Sequence, residues 1–239
     1  MRLRPAGLGA LAISLALCGC QSTQERSAEL QRDAKHTLLA SQGVSVTKES
    51  PNVRVVHSTI IHTSTGTAVV VQMRNVSAKT LQDAPIELTV KDAKGGVLYQ
   101  NNAPGLEPSL TKVAVLEPGA ETIWVDDQVQ VAGTPASTSG LVGEATTASQ
   151  VPRMEVLNAH LSSEPGAEAT ESGNVANRSA TPQANLVVYA LARRAGRIVA
   201  AGRAVLPEIE AGTSVPFQIY FVGNPQGAHV EVSAPATTF

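Results

Sequence analysis

The sequence predicts an all-β protein, with two tandem antiparallel β-sandwich domains following a short helical tether. Three observations carry this reading. Ile86, Leu88 and Val90 alternate with Glu87, Thr89 and Lys91, the period-two pattern of a strand with one buried face. The same order of strands and turn residues recurs about a hundred residues further on, as expected of an internal duplication. Beyond Gly43, short strand-like runs separated by Gly, Asn, Asp and Pro replace any long helical periodicity.

The repeat is visible residue by residue. NVSA at Asn75 matches NRSA at Asn177, and LEPGAETIW from Leu116 matches IEAGTSVPF from Ile209, which sets Trp124 against Phe217. Between them, APIELTVKDAKGGVLYQN from Ala84 matches ANLVVYALARRAGRIVAA from Ala184. Each half then offers six or seven short strands, over residues 44–132 and 151–239. Asn75 and Asn177 also head Asn-x-Ser triplets, but their equivalent places in the repeat make them turn residues. The order Asn75, Asp92, Gly95, Pro118, Gly119, Trp124 resembles the FxLYD-type and related immunoglobulin-like modules of bacterial surface proteins. That resemblance covers Val53 to Val131 and Met154 to Val232, with Arg193 and Ala211 departing from it in the second half. It implies immunoglobulin-like topology for both sandwiches. Residues 133–150, poor in charge and rich in Gly, Ser, Thr and Ala, have the composition of a flexible linker. Ser163 to Gly173 reads as an exposed polar loop.

The amino terminus addresses location. Arg2 and Arg4 precede an uncharged apolar run from Ala6 to Leu17, about a dozen residues and too short to span a bilayer as a helix. Residues 15–20 then read LALCGC and contain both cysteines of the chain. Leu17, Cys18, Gly19 and Cys20 resemble the lipobox of bacterial lipoproteins, with an aliphatic residue at −3 and a small one at −1. The resemblance implies a signal peptide over residues 1–19, cleavage between Gly19 and Cys20, and lipid on the Cys20 thiol. Cys18 fits the box less well, because Leu17 would occupy its −1 place, where the family has Gly, Ala or Ser. Two or three acyl chains hold a protein firmly, since each buried methylene adds about 0.8 kcal/mol. Gln21 in place of Asp implies sorting to the outer membrane in an organism with two membranes, and otherwise the outer face of the cell membrane. From Cys20 to residue 43 the chain reads as the helical tether: Ser22 and Glu25 have capping-box spacing, and Leu30, Ala34 and Leu38 form a stripe. That stripe packs either on the first domain or on lipid.

Composition narrows the chemistry. A formal net charge of −2 supplies no reason to expect nucleic acid as a partner. One Trp, three Tyr and three Phe are few for a site that stacks flat ligands. No nucleophile elbow, zinc-protease motif, P-loop or dinucleotide fingerprint is present, so no catalytic, cofactor or metal residues are assigned. Asp126 and Asp127 are adjacent and would point to opposite faces of a strand. His57 and His62 differ in parity, and His160 and His229 lie in the other half, so each reads as solvated or hydrogen-bonded. The chain is therefore expected to be a non-enzymatic, lipid-anchored envelope protein that binds or scaffolds an envelope protein partner. The alternative is an envelope carrier of a small or lipidic ligand, which requires an apolar cavity between domains or sheets.

Overall fold

A computed structural model describes residues 43–162 and 168–239, so the signal peptide, Cys20 and the tether lie outside the described residues. The described part is all-β, with several antiparallel sheets. Its first half contains β1 (Val53–Thr63), β2 (Gly66–Asn75), β3 (Leu81–Lys91), β4 (Val97–Gln100), β5 (Lys112–Leu116), β6 (Glu121–Asp126), β7 (Ser137–Val142) and β8 (Thr146–Thr147). The second half contains β9 (Met154–Ser162), β10 (Thr170–Asn177), β11 (Gln183–Arg194), β12 (Arg197–Ile209), β13 (Ser214–Tyr220), β14 (Val222–Gly223) and β15 (His229–Ser233).

Each half pairs two sheets. In the first, β1-β2-β6 faces a sheet centred on β3, which has β4 and β5 along one edge and β7 and β8 along the other. In the second, β9-β10-β13 faces β14-β12-β11-β15. The two halves share topology: β3 and β11 are central, and β7 and β15 flank them as the late strand of each half.

Two sequence readings are corrected here. Residues 133–150 are not a flexible linker throughout, because Ser137–Val142 form β7, in register with β3 from Ile86↔Val142 to Lys91↔Ser137. Gly140 and Val142 are buried, and a Cβ on Gly140 would stand 3.2 Å from the Val71 methyls. A small residue at Gly140 is what lets this strand close over Val71, while Ser137 and Ser139 face outward. The first sandwich therefore runs past residue 132. Likewise Ser163 to Gly173 is not loop throughout, since Thr170 opens β10 and both Thr170 and Glu171 are buried. A Cβ on Gly173 would lie 2.9 Å from the Phe217 ring, so glycine here makes room for the aromatic side chain on β13.

The repeat register also shifts. Leu81 pairs with Leu116 and Gln183 with Ile209, so equating Leu116 with Ile209 equates Ala84 with Leu186 rather than with Ala184. A slip of two residues keeps every side chain on its own face, which is why periodicity alone does not reveal it. The corrected register aligns Asp83 with Asn185, and both adopt left-handed backbone, at φ 53° and 49°. Asp and Asn are among the few residues that visit this region routinely.

The core explains how the halves join. Along β11, Leu186, Val188 and Ala190 enter the second half's own core, while Val187, Tyr189 and Leu191 enter the core of the first half. Both faces of this strand are thus covered, and it reads as a continuous apolar run. β2 is buried in the same way from Thr67 to Val71. The β1-β2-β6 and β14-β12-β11 sheets pack against each other, and residues 43–239 lie within one compact unit.

Candidate functional site at the junction of the two halves

The repeats differ in one place that matters. The second half has a single long strand, β12, where the first half has two, β4 and β5, separated by residues 101–111. Asn101 holds this excursion against β3. Its side-chain amide donates to the carbonyls of Ile86 (3.0 Å) and Leu110 (2.7 Å), and its Oδ1 accepts from the Leu88 N–H at 2.7 Å. A buried amide thereby replaces the ladder bonds that the missing strand would make. The 3-10 turn Pro108–Leu110 follows, with the Trp124 indole N–H donating to the Ser109 carbonyl at 2.9 Å.

The excursion delivers Glu107 and Ser109 to Arg203, on β12 of the other half. The Arg203 side chain is only 2 % exposed. Its guanidinium donates to Asp127 Oδ1 (3.1 Å), Ser109 Oγ (2.7 Å) and Glu107 Oε2 (3.3 Å), and its backbone N–H donates to Asp127 Oδ2 (3.0 Å). A charge this deep requires partners for each of its donors, and the first half supplies them. Asp127 is pushed above the usual carboxylate range by burial, with Arg203 opposing the shift.

Asp126 turns the other way, as alternation along the strand requires. It is fully buried and accepts hydrogen bonds from the Tyr99 hydroxyl (2.8 Å) and the Gln128 N–H (2.9 Å). Burial raises its carboxyl too. Desolvation, and then the neighbouring Asp126, push the Tyr99 hydroxyl well above the ordinary phenol value.

Around this cluster lies a cavity of about 290 Å³ between the halves. A larger groove of about 490 Å³, between Thr122 and Pro152, has no buried polar side chain in its lining. The open cleft beside His62 has Thr67, whose hydroxyl is already bonded to His62 Nδ1 at 2.7 Å.

The chain matches no family model, and no curated protein matches its sequence.

The remaining sequence candidates fall elsewhere. His57, His62, His160 and His229 are exposed and scattered, and the described residues hold no group of three or more His, Cys, Asp or Glu able to share a metal ion. Gly19 and Cys20 lie outside the described residues. Asn75 and Asn177 end β2 and β10, and both are buried completely. Sequence reading missed Arg203, although a signal was present: a lone charge inside the apolar run Ile198–Leu206 demands a partner.

Proposed function

We propose that the chain is a lipid-anchored, non-catalytic envelope protein whose β-structure serves as a binding or scaffolding module. The observation that carries this reading is the succession of Arg2, Arg4, the apolar run Ala6–Leu17 and the box Leu17-Cys18-Gly19-Cys20. In this reading the Cys20 thiol takes the lipid, because a thiolate is the strongest nucleophile a side chain offers near neutral pH. Acyl chains on Cys20 then hold the protein at the membrane, and the residues up to Gly43 set its distance from the surface.

The described unit supports the binding half of the proposal by its build. The halves share buried side chains and a buried ion pair, so the module presents one rigid surface rather than two hinged ones. Edge strands are guarded: β1 meets β2 and β9 meets β10 with a register shift, β9 has a left-handed Asn158, and β13 carries Pro216. Such devices discourage indiscriminate strand pairing and favour a specific partner.

Replacing Cys20 with Ala tests the anchor. The variant should appear in the soluble fraction after a high-salt wash, whereas the natural chain stays with the membranes; a variant that remains membrane-bound would overturn the reading. Crosslinking on intact cells then identifies the partner protein.

A further inference from the structure

We propose that the cavity between the two halves is a binding site for a small uncharged molecule with an aliphatic body and one hydrogen-bond-accepting oxygen. The inference is independent of the anchoring reading, because it rests only on residues 83–237.

The cavity's walls are mixed, with Asp83, Glu107, Ser109, Lys112, Asn185 and Thr237 among them, and its aliphatic surface comes from both halves. Pro108 and Ala114 come from the first half, and Val187 and Val205 from the second. With Tyr189 as its single aromatic lining residue, the cavity has no pair of rings to clamp a flat ligand. At about 290 Å³ it sits at the small end of ligand pockets, which run upward from roughly 300 Å³, and so suits a molecule of about a dozen heavy atoms.

Tyr189 supplies the specific contact. It is 5 % exposed, it lines the cavity, and its hydroxyl makes no hydrogen bond to any described residue. A phenol hydroxyl that opens on a cavity finds its partner in what the cavity holds, water or a bound molecule. Burial raises its ionisation well above the ordinary phenol value, so the hydroxyl stays protonated and is available as a donor. An acceptor oxygen on a bound molecule would complete it.

The charges around the cavity are either half exposed or already paired. Lys112 stands 3.9 Å from Asp83, and Arg203, which faces Tyr189 across the β11–β12 ladder, is taken up by Asp127, Ser109 and Glu107. Away from the exposed Lys112–Asp83 pair, beside Tyr189, a charged group finds no unpaired counter-charge, so this part of the cavity favours an uncharged group. Asp83 and Asn185, the two left-handed residues at equivalent places in the repeat, both line the cavity.

The test uses the full chain carrying Cys20→Ala, which keeps acyl chains out of the measurement, with γ-nonalactone as the probe and nonanoate as a charged molecule of equal size. Amide chemical shifts of Ala114, Tyr189 and Val205 should move saturably with the lactone, with a Kd of about 0.1–1 mM. Tyr189→Phe, which keeps the ring, should weaken binding about fivefold. Ala114→Leu, at a half-buried wall position, should abolish it. Absence of saturable shifts up to about 5 mM lactone would overturn the proposal, as would shifts centred elsewhere, equal affinity in Tyr189→Phe, or tighter binding of nonanoate.

Discussion

Asn75 and Asn177 make the same hydrogen bonds in the two halves of the molecule. The Asn75 amide donates to the carbonyls of Lys79 (2.7 Å) and Leu116 (2.8 Å), and that of Asn177 to those of Thr181 (2.8 Å) and Ile209 (3.2 Å). Their Oδ1 atoms accept from the backbone and hydroxyl of Ser77 and Ser179. Each asparagine thus ties the end of one sheet to a strand of the facing sheet. The repeated Asn-x-Ser is a structural clamp, and the serine completes it.

Removing either clamp should therefore be costly. Asn75→Ala or Asn177→Ala leaves one buried carbonyl, that of Leu116 or Ile209, without this donor, and removes the acceptor of the part-buried Ser77 or Ser179 N–H, at about 1–3 kcal/mol for each group left unmet. Urea denaturation should show a loss of at least about 2 kcal/mol for each variant. Asn→Asp should be no better than Ala, because both carbonyls need a donor and a carboxylate has none.

The buried ion pair at the junction predicts a second, asymmetric result. Arg203→Ala strands Asp127, whose side chain is only 16 % exposed, and should cost about 3–5 kcal/mol. Adding Asp127→Asn should recover part of that loss, because the second change removes the uncompensated charge. Additive losses in this double-mutant cycle would mean that the pair is not coupled.

Asp126 and Asp127 also set a direction of pH dependence. Both carboxyls lie above their ordinary value of 3.8 in the folded protein, chiefly through burial. A raised folded value means the native state holds protons that the unfolded chain has released. The stability these groups contribute is fully present below the ordinary carboxylate value and is lost as pH rises through the raised one. Relative to Asp126→Asn, the natural chain should lose stability as pH rises above about 4. Denaturation midpoints measured across that range check the sign.

Legibility in the sequence followed how local each feature is. β3 was readable because Ile86 to Lys91 alternate strictly, and all-β architecture followed from that pattern and its recurrence. β7 was not, because its Ser, Thr and Gly residues acquire a strand's identity only from pairing with β3 some fifty residues earlier in the chain. The parity of Asp126 and Asp127 was legible, but their partners were not. Tyr99 meets Asp126 only when the sheets of the first half pack, and Arg203 meets Asp127, Ser109 and Glu107 only when the two halves do. Asn75 and Asn177 were recognisable as turn residues from their neighbours, yet nothing local announced that they are completely buried. Gln183 was silent too: its Oε1 accepts from the N–H groups of Thr237 and Thr238, fastening the carboxyl-terminal segment to the start of β11.

The shared core makes the strongest claim about how this molecule behaves as a whole. Val187, Tyr189 and Leu191 belong by sequence to the second half and by packing to the first. Two sandwiches joined by a flexible segment would unfold separately, and a substitution in one would leave the other's transition unchanged. Two sandwiches that exchange core side chains across their inner sheets should unfold together. Thermal and urea denaturation of the Cys20→Ala chain should accordingly show one transition, coincident for Trp124 fluorescence in the first half and for the far-ultraviolet signal of both. Leu191→Ala should move that single transition by about 2–5 kcal/mol, although Trp124 lies in the other half. Two separable transitions, or a Trp124 signal that ignores Leu191→Ala, would show that the halves are independent after all.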